Sequence, residues 1–202
     1  MKRRPGGTVR RRQQQELPKH ASGAPFMKGC TRHPGCPVLL KGQGTDMKYD
    51  HAEKAQKYFL DGYNCAQAVF CAFEDLTGLD VTTSARLASS FGGGMGRLRE
   101  VCGTVSGALL VLGIVCGYDD PKAGQAKTDH YHLVQEFVRR FREINGTILC
   151  RELLEGVKTQ PGNDPEARTP EYYARRPCLR HVGEAARIVD ELLSGPSVFP
   201  KR

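Results

Sequence analysis

The chain has 202 residues, 39% of them hydrophobic, enough for one domain that buries its own core without disulfide staples. Its formal charge of +8 comes from the first 46 residues, where ten Lys or Arg face two acidic residues; the twenty basic and twenty acidic side chains of residues 47–202 cancel. A nucleic-acid-binding face on the folded body is thereby excluded, because such a face carries clustered positive charge.

Residues 1–46 are rich in Gly, Pro, Arg and Gln, keep no period of 2 or 3.6, and read as a disordered basic extension. A basic arm that touches RNA or anionic lipid is one explanation. A spurious upstream start is the preferred one, since Met47 opens a well-patterned helical sequence. Cys30, His33 and Cys36 have the look of zinc ligands but lack a fourth nearby. No apolar stretch of roughly 7 to 15 residues follows the basic N-terminus, so no secretory signal is read and the chain is assigned to the cytoplasm. Structural disulfides are rare there, and the eight cysteines point instead to catalysis or ligation.

From Met47 onward the pattern is helical. Tyr49 to Leu60 contains good helix formers and is stopped by Asp61-Gly62. Asn64 caps a second predicted helix that continues through Thr77, with Cys65, Ala68, Val69, Ala72, Phe73 and Leu76 on one stripe. Thr83 to Ser90 forms a short third helix, followed by the glycine-rich break Phe91 to Gly96. The fourth, Val101 to Cys116, is apolar nearly all round and is expected at the centre of the bundle. It is too short for a membrane span, which takes roughly 20 residues. A long amphipathic fifth helix runs from Lys122 to Ile144, with His130 and His132 on its polar side. Cys150 to Glu155 makes a short helical turn, residues 156–170 a polar loop, and Cys178 to Leu193 the last helix, stopped by Ser194-Gly195-Pro196.

The expected fold class is therefore all-α: a single helical bundle of about five to seven helices over residues 47–195, with a flexible tail at 196–202. Gly103 and Gly107 share one helix face, as do Gly113 and Gly117. That spacing suits either tight packing within the chain or a homodimer seam.

Cys65, Cys102, Cys150 and Cys178 each stand at or beside a predicted helix start. Unpaired N–H groups and the positive end of the helix dipole favour a thiolate there, and thiolates react and bind metals. The plainer reading of each cysteine alone is a buried small hydrophobe. Cys71, in mid-helix, and Cys116, at a helix end, keep that plainer reading.

Cys102-Gly103-Thr104-Val105-Ser106-Gly107 resembles the Cys-Gly-Ala-x-x-Gly motif of the C_GCAxxG_C_C family, a group described as redox-active proteins. Gly62-Tyr63-Asn64-Cys65 precedes the motif, Phe91 to Arg97 lies between, and Cys150 and Cys178 correspond to the two downstream family cysteines. The resemblance covers roughly residues 47 to 195, with Thr104 standing where the motif has alanine. It implies a redox or metal role for the four cysteines. Asn64 before Cys65 leaves that sulfur near free N–H groups and ready to ionise, and Gly103 leaves backbone open to a cluster, sulfur or substrate. Gly107 and Arg97 join the candidate binding residues, Arg97 and Arg99 adding positive potential against Glu100.

No Cys-x-x-Cys, nucleotide-binding glycine motif or hydrolytic triad order is present. Two mechanisms remain. The four cysteines ligate an iron–sulfur cluster, or zinc as the alternative metal, for electron transfer in the cluster case. Alternatively they form one or two dithiol pairs that exchange with a partner disulfide and need no cofactor. A non-catalytic helical module that binds a redox partner protein, a transporter or a membrane complex is the third possibility.

Overall fold

The computed structural model describes residues 50–194. The readings of the basic extension, of Cys30, His33 and Cys36, and of the tail at 196–202 lie outside the described residues. Helices start where a side chain satisfies their first N–H groups. Asp50 accepts from the Glu53 N–H at α1 (His51–Leu60). Asn64 accepts from Ala66 and Gln67 at α2 (Cys65–Ala72), and the Gln67 side chain answers the Asn64 N–H, a complete capping box. After α3 (Glu74–Thr77), Asp80 caps α4 (Val81–Ala88), which continues as a 3-10 turn over Ser89–Phe91. Then follow α5 (Gly103–Cys116), α6 (Gly124–Asn145), α7 (Cys150–Leu153), α8 (Pro170–Arg175) and α9 (Cys178–Ser194).

The described residues are all-α, with one isolated antiparallel bridge between Val101 and Leu149. Their nine α-helices exceed the expected number for two local reasons. The helix begun at Asn64 does not reach Thr77 but breaks at Phe73, whose ring is fully buried and stacks on His51 at 4.1 Å. The α8 helix was missed, although Thr169 followed by Pro170 is a cap followed by an N1 proline.

Helix α2 occupies the centre that the sequence assigned to α5. Seven of its eight residues are buried, and it packs on α1, α4, α5 and α9. Helix α5 buries Val105, Ala108, Val111 and Leu112 but leaves Gly113 and Ile114 exposed. His51 ties the outer elements together, its Nδ1 2.5 Å from Asp190 Oδ1 on α9 and its Nε2 3.1 Å from Asp75 Oδ1 on α3. Burial opposes charge on that ring, but the two carboxylates outweigh it and raise its pKa. No helix of the described residues is long and apolar enough to cross a membrane.

The two glycine pairs separate. A Cβ on Gly107 would lie 2.5 Å from the Ala66 carbonyl oxygen, and one on Gly103 would lie 2.9 Å from the Phe91 carbonyl oxygen and 3.1 Å from Cys65 Cβ. These two residues let α2 and α5 touch. Gly113 faces nothing within 4 Å. Gly107→Ala is accordingly expected to lower unfolding stability by about 1 to 3 kcal/mol through overpacking. Gly113→Ala on the exposed helix interior should raise it by up to about 1 kcal/mol. Urea unfolding of the two variants checks the contrast, and equal effects would refute this account of the seam.

Candidate functional site

Cys65, Cys150 and Cys178 are the first residues of α2, α7 and α9, and Cys102 is the N-cap of α5. All four are buried thiols. Three contacts gather them. Gly103 takes the Cys65 side chain against its bare Cα. The Val101–Leu149 bridge, with Cys102 N–H donating to the Ile148 carbonyl at 2.8 Å and Cys150 N–H to the Glu100 carbonyl at 2.7 Å, lays the two cysteine-bearing segments side by side. Cys65 and Cys178 are close enough for each thiol to act on the ionisation of the other. Cys65, Cys150 and Cys178 line one cavity of about 270 Å³, while Cys102 sits behind it with Sγ 3.2 Å from Thr104 Oγ1.

The glycine-rich break forms one wall. Gly93, Gly94, Met95, Gly96 and Arg97 all have positive φ, from 58° to 73°, and Arg99 returns to 62°. L-residues such as Met95 and Arg97 pay roughly 1–2 kcal/mol each for that geometry. Backbone bonds from Arg97 N–H to the Gly92 carbonyl and from Glu100 N–H to the Gly94 carbonyl, both 3.2 Å, close the turn. A Cβ on Gly94 would lie 2.8 Å from Cys150 Cβ, so the turn rests directly on that cysteine.

The polar loop before α8 forms the opposite wall. Arg97 clamps it, donating from Nε to the Gly162 carbonyl at 2.9 Å and from Nη2 to the Gln160 carbonyl at 2.8 Å. Glu166 accepts from Arg175 at 2.7 Å and from Arg176. Arg168 stacks over Phe59 and Tyr172 at 4.7 and 4.8 Å, and Arg176 over Tyr172 at 4.6 Å. Arg168, Glu166 and Tyr172 escaped the sequence reading because nothing local marks a polar loop as the wall of a cavity. Gly103 and Gly107 do not line it; they act through helix contact rather than as open backbone for a ligand.

The helix starts do not make four thiolates. Burial pushes Cys102 up to about 12. Burial likewise raises Cys150, although Arg99 Nη1 lies 4.0 Å from its sulfur. Cys65, expected to ionise, is raised well above the usual thiol value by the neighbouring Cys178 and by burial. Cys178 alone is lowered, by the Cys65 thiol beside it, with Arg176 assisting against burial. Cys71 is raised to about 11 by burial, in keeping with a packing role.

Four thiols are donors that suit iron or zinc. Among the described residues, however, no three or more His, Cys, Asp or Glu side chains stand in an arrangement that could hold a metal ion.

A family model described as "Putative redox-active protein (C_GCAxxG_C_C)" matches residues 63–192, a span that contains all four cysteines and every cavity-lining residue. The chain belongs to the C_GCAxxG_C_C family. No curated protein and no solved structure matches it. In this C_GCAxxG_C_C protein the family motif at Cys102 to Gly107 forms the first turn of α5 and its contact with α2, and three of the four cysteines line one cavity.

The asymmetry of the pair has a measurable consequence. Alkylation by iodoacetamide, mapped by mass spectrometry across pH, should modify Cys178 first, with a midpoint below the ordinary thiol value of 9.0. Cys65→Ala removes the thiol that lowers the Cys178 pKa, so the midpoint should move upward. An unchanged midpoint would remove Cys65 from that role.

Proposed function

We propose that the protein is a thiol–disulfide oxidoreductase in which Cys178 is the attacking thiolate and Cys65 the resolving thiol. The observation that carries this reading is that Cys65 and Cys178 line one cavity together, the Cys65 thiol lowering the Cys178 pKa. Thiol exchange favours a lowered pKa in the attacking group, the direction in which Cys178 is shifted. In the first step the Cys178 sulfur bonds to one sulfur of a substrate disulfide, whose S–S bond breaks. The departing thiolate takes up the proton held by Cys65. The Cys65 thiolate then attacks the Cys178 sulfur and expels the second substrate thiolate. The pair has lost two electrons and become a disulfide, the substrate has become one thiol and one thiolate that takes its proton from water, and an external dithiol restores the pair. A cytoplasmic setting fits, because thiols there are kept reduced.

Cys150 lies on the same wall, and the bridge runs the Cys102 segment alongside it. The convergence of four cysteines from four helix starts also favours a second reading, in which Cys65, Cys102, Cys150 and Cys178 hold an iron–sulfur cluster for electron transfer. That reading requires the sulfurs to draw closer together than the described arrangement places them.

Anaerobic purification followed by visible spectra, iron, sulfide and zinc assays, and thiol counting before and after a disulfide oxidant tests both readings. Colourless protein that loses two thiols, with a Cys65–Cys178 linkage in the peptide map, is expected. Thiolate-to-iron absorption with matching iron and sulfide would replace exchange by the cluster. Metal-free protein with a constant thiol count would leave only a partner-binding module.

A further inference from the structure

The cavity beside the thiol pair is strongly charged. Arg97, Arg99, Arg168 and Arg176 line it, and Glu166 is the one carboxylate among its lining residues. Their commitments differ. Arg97 is spent on the loop carbonyls, and Arg99 points at the Cys150 sulfur. Arg176 shares Glu166 with Arg175, its side chain is 3% exposed, and its Nε is buried without a hydrogen-bond partner. Arg168 donates from Nη2 to the Tyr63 carbonyl at 3.3 Å, and its Nη1 is also buried without a partner.

A buried guanidinium N–H with no acceptor costs free energy, and native structures rarely leave one. Here the two side chains with orphaned groups both lie against one aromatic ring, Tyr172. A fixed guanidinium fork matches the geometry of a carboxylate or sulfonate. The volume of about 270 Å³ falls at the small end of ligand pockets, which run from roughly 300 to 1,000 Å³, and favours a small molecule over a protein loop.

We propose that this cavity is a substrate subsite for small anionic disulfides, whose carboxylate or sulfonate is held by Arg168 and Arg176 while Cys178 attacks the nearby S–S bond. The inference rests on the thiol-exchange reading and names its substrate class. Electrons and protons move as described for that reading: the anionic disulfide gains two electrons and leaves as one thiol and one thiolate that takes its proton from water, and the Cys65–Cys178 pair is oxidised.

The test uses the reduced full-length protein and three disulfides of similar size: dithiodiglycolate, which is anionic, 2-hydroxyethyl disulfide, which is neutral, and cystamine, which is cationic. Each rate of protein thiol oxidation is normalised to that of a small free thiol with the same disulfide. The anionic compound should react at least about tenfold faster than the neutral one, and the cationic one slowest, with the preference shrinking as salt rises. Arg168→Gln should flatten the series. Should that variant fail to fold, sulfate added to the wild type should slow the anionic disulfide and leave the neutral one unaffected. Equal normalised rates for all three, with the pair becoming oxidised, would overturn the anionic subsite and leave thiol exchange standing. Absence of oxidation by any of them would overturn thiol exchange itself.

Discussion

The missing side chains of Gly103 and Gly107 set how closely α2 and α5 approach, and that distance governs the site. Ala66 follows Cys65 on the first turn of α2, and Gly103 follows Cys102 at the first turn of α5, so backbone contact between Ala66 and the two glycines brings both cysteines to the same end of the helix pair. The remaining two arrive by separate routes. Cys150 is delivered by the short bridge that runs alongside Cys102, and Cys178 by α9, which packs on α1, α2 and α5. Thr104, the one departure from the family motif, fits without penalty: it is fully buried and its hydroxyl meets the Cys102 sulfur.

Within that cluster, burial and helix ends pull in opposite directions, and magnitudes decide between them. A charge at a helix end gains about 0.3 to 1 kcal/mol, less than one pKa unit, which is about 1.4 kcal/mol. Full burial of an ionisable group shifts it by up to about 3 to 5 units. Three of the four cysteines sit at helix starts and still have raised pKa values. The fourth, Cys178, is lowered by the neighbouring Cys65 thiol, an influence that the helix end alone does not supply. The four cysteines are thus not equivalent: one is pushed towards the thiolate and three away from it.

The walls of the cavity spend stability on position. Five consecutive residues with positive φ, two of them not glycine, hold the backbone against Cys150 and aim Arg97 at the opposite loop. Such geometry persists where surrounding contacts over-determine it, and it concentrates at functional sites. The loop is fastened in return by Glu166 between Arg175 and Arg176, and by Arg168 against three aromatic rings. The result is a small arginine-lined chamber bordered by Cys178, inside a body whose charges balance.

Much of this was legible in the residues themselves. Asn64 and Asp80 mark helix starts by side-chain chemistry, the apolar stripe of α2 marks a buried helix, and the Cys102 motif marks the family. These signals are local, acting over one or two turns, and survive in the bare sequence. Other features have no local signature. The break at Phe73 arises because its ring is buried against His51; α2 rather than α5 is central because it packs on four other helices; and Arg168 and Tyr172 reach the cavity only because the loop folds across residues far away in the chain. The sequence by itself determined that the chain is helical and that four cysteines lie at helix starts. Tertiary structure alone decided which thiol is pushed towards ionisation, since that depends on burial and on the pairing of Cys65 with Cys178, 113 positions apart, which no short-range pattern records.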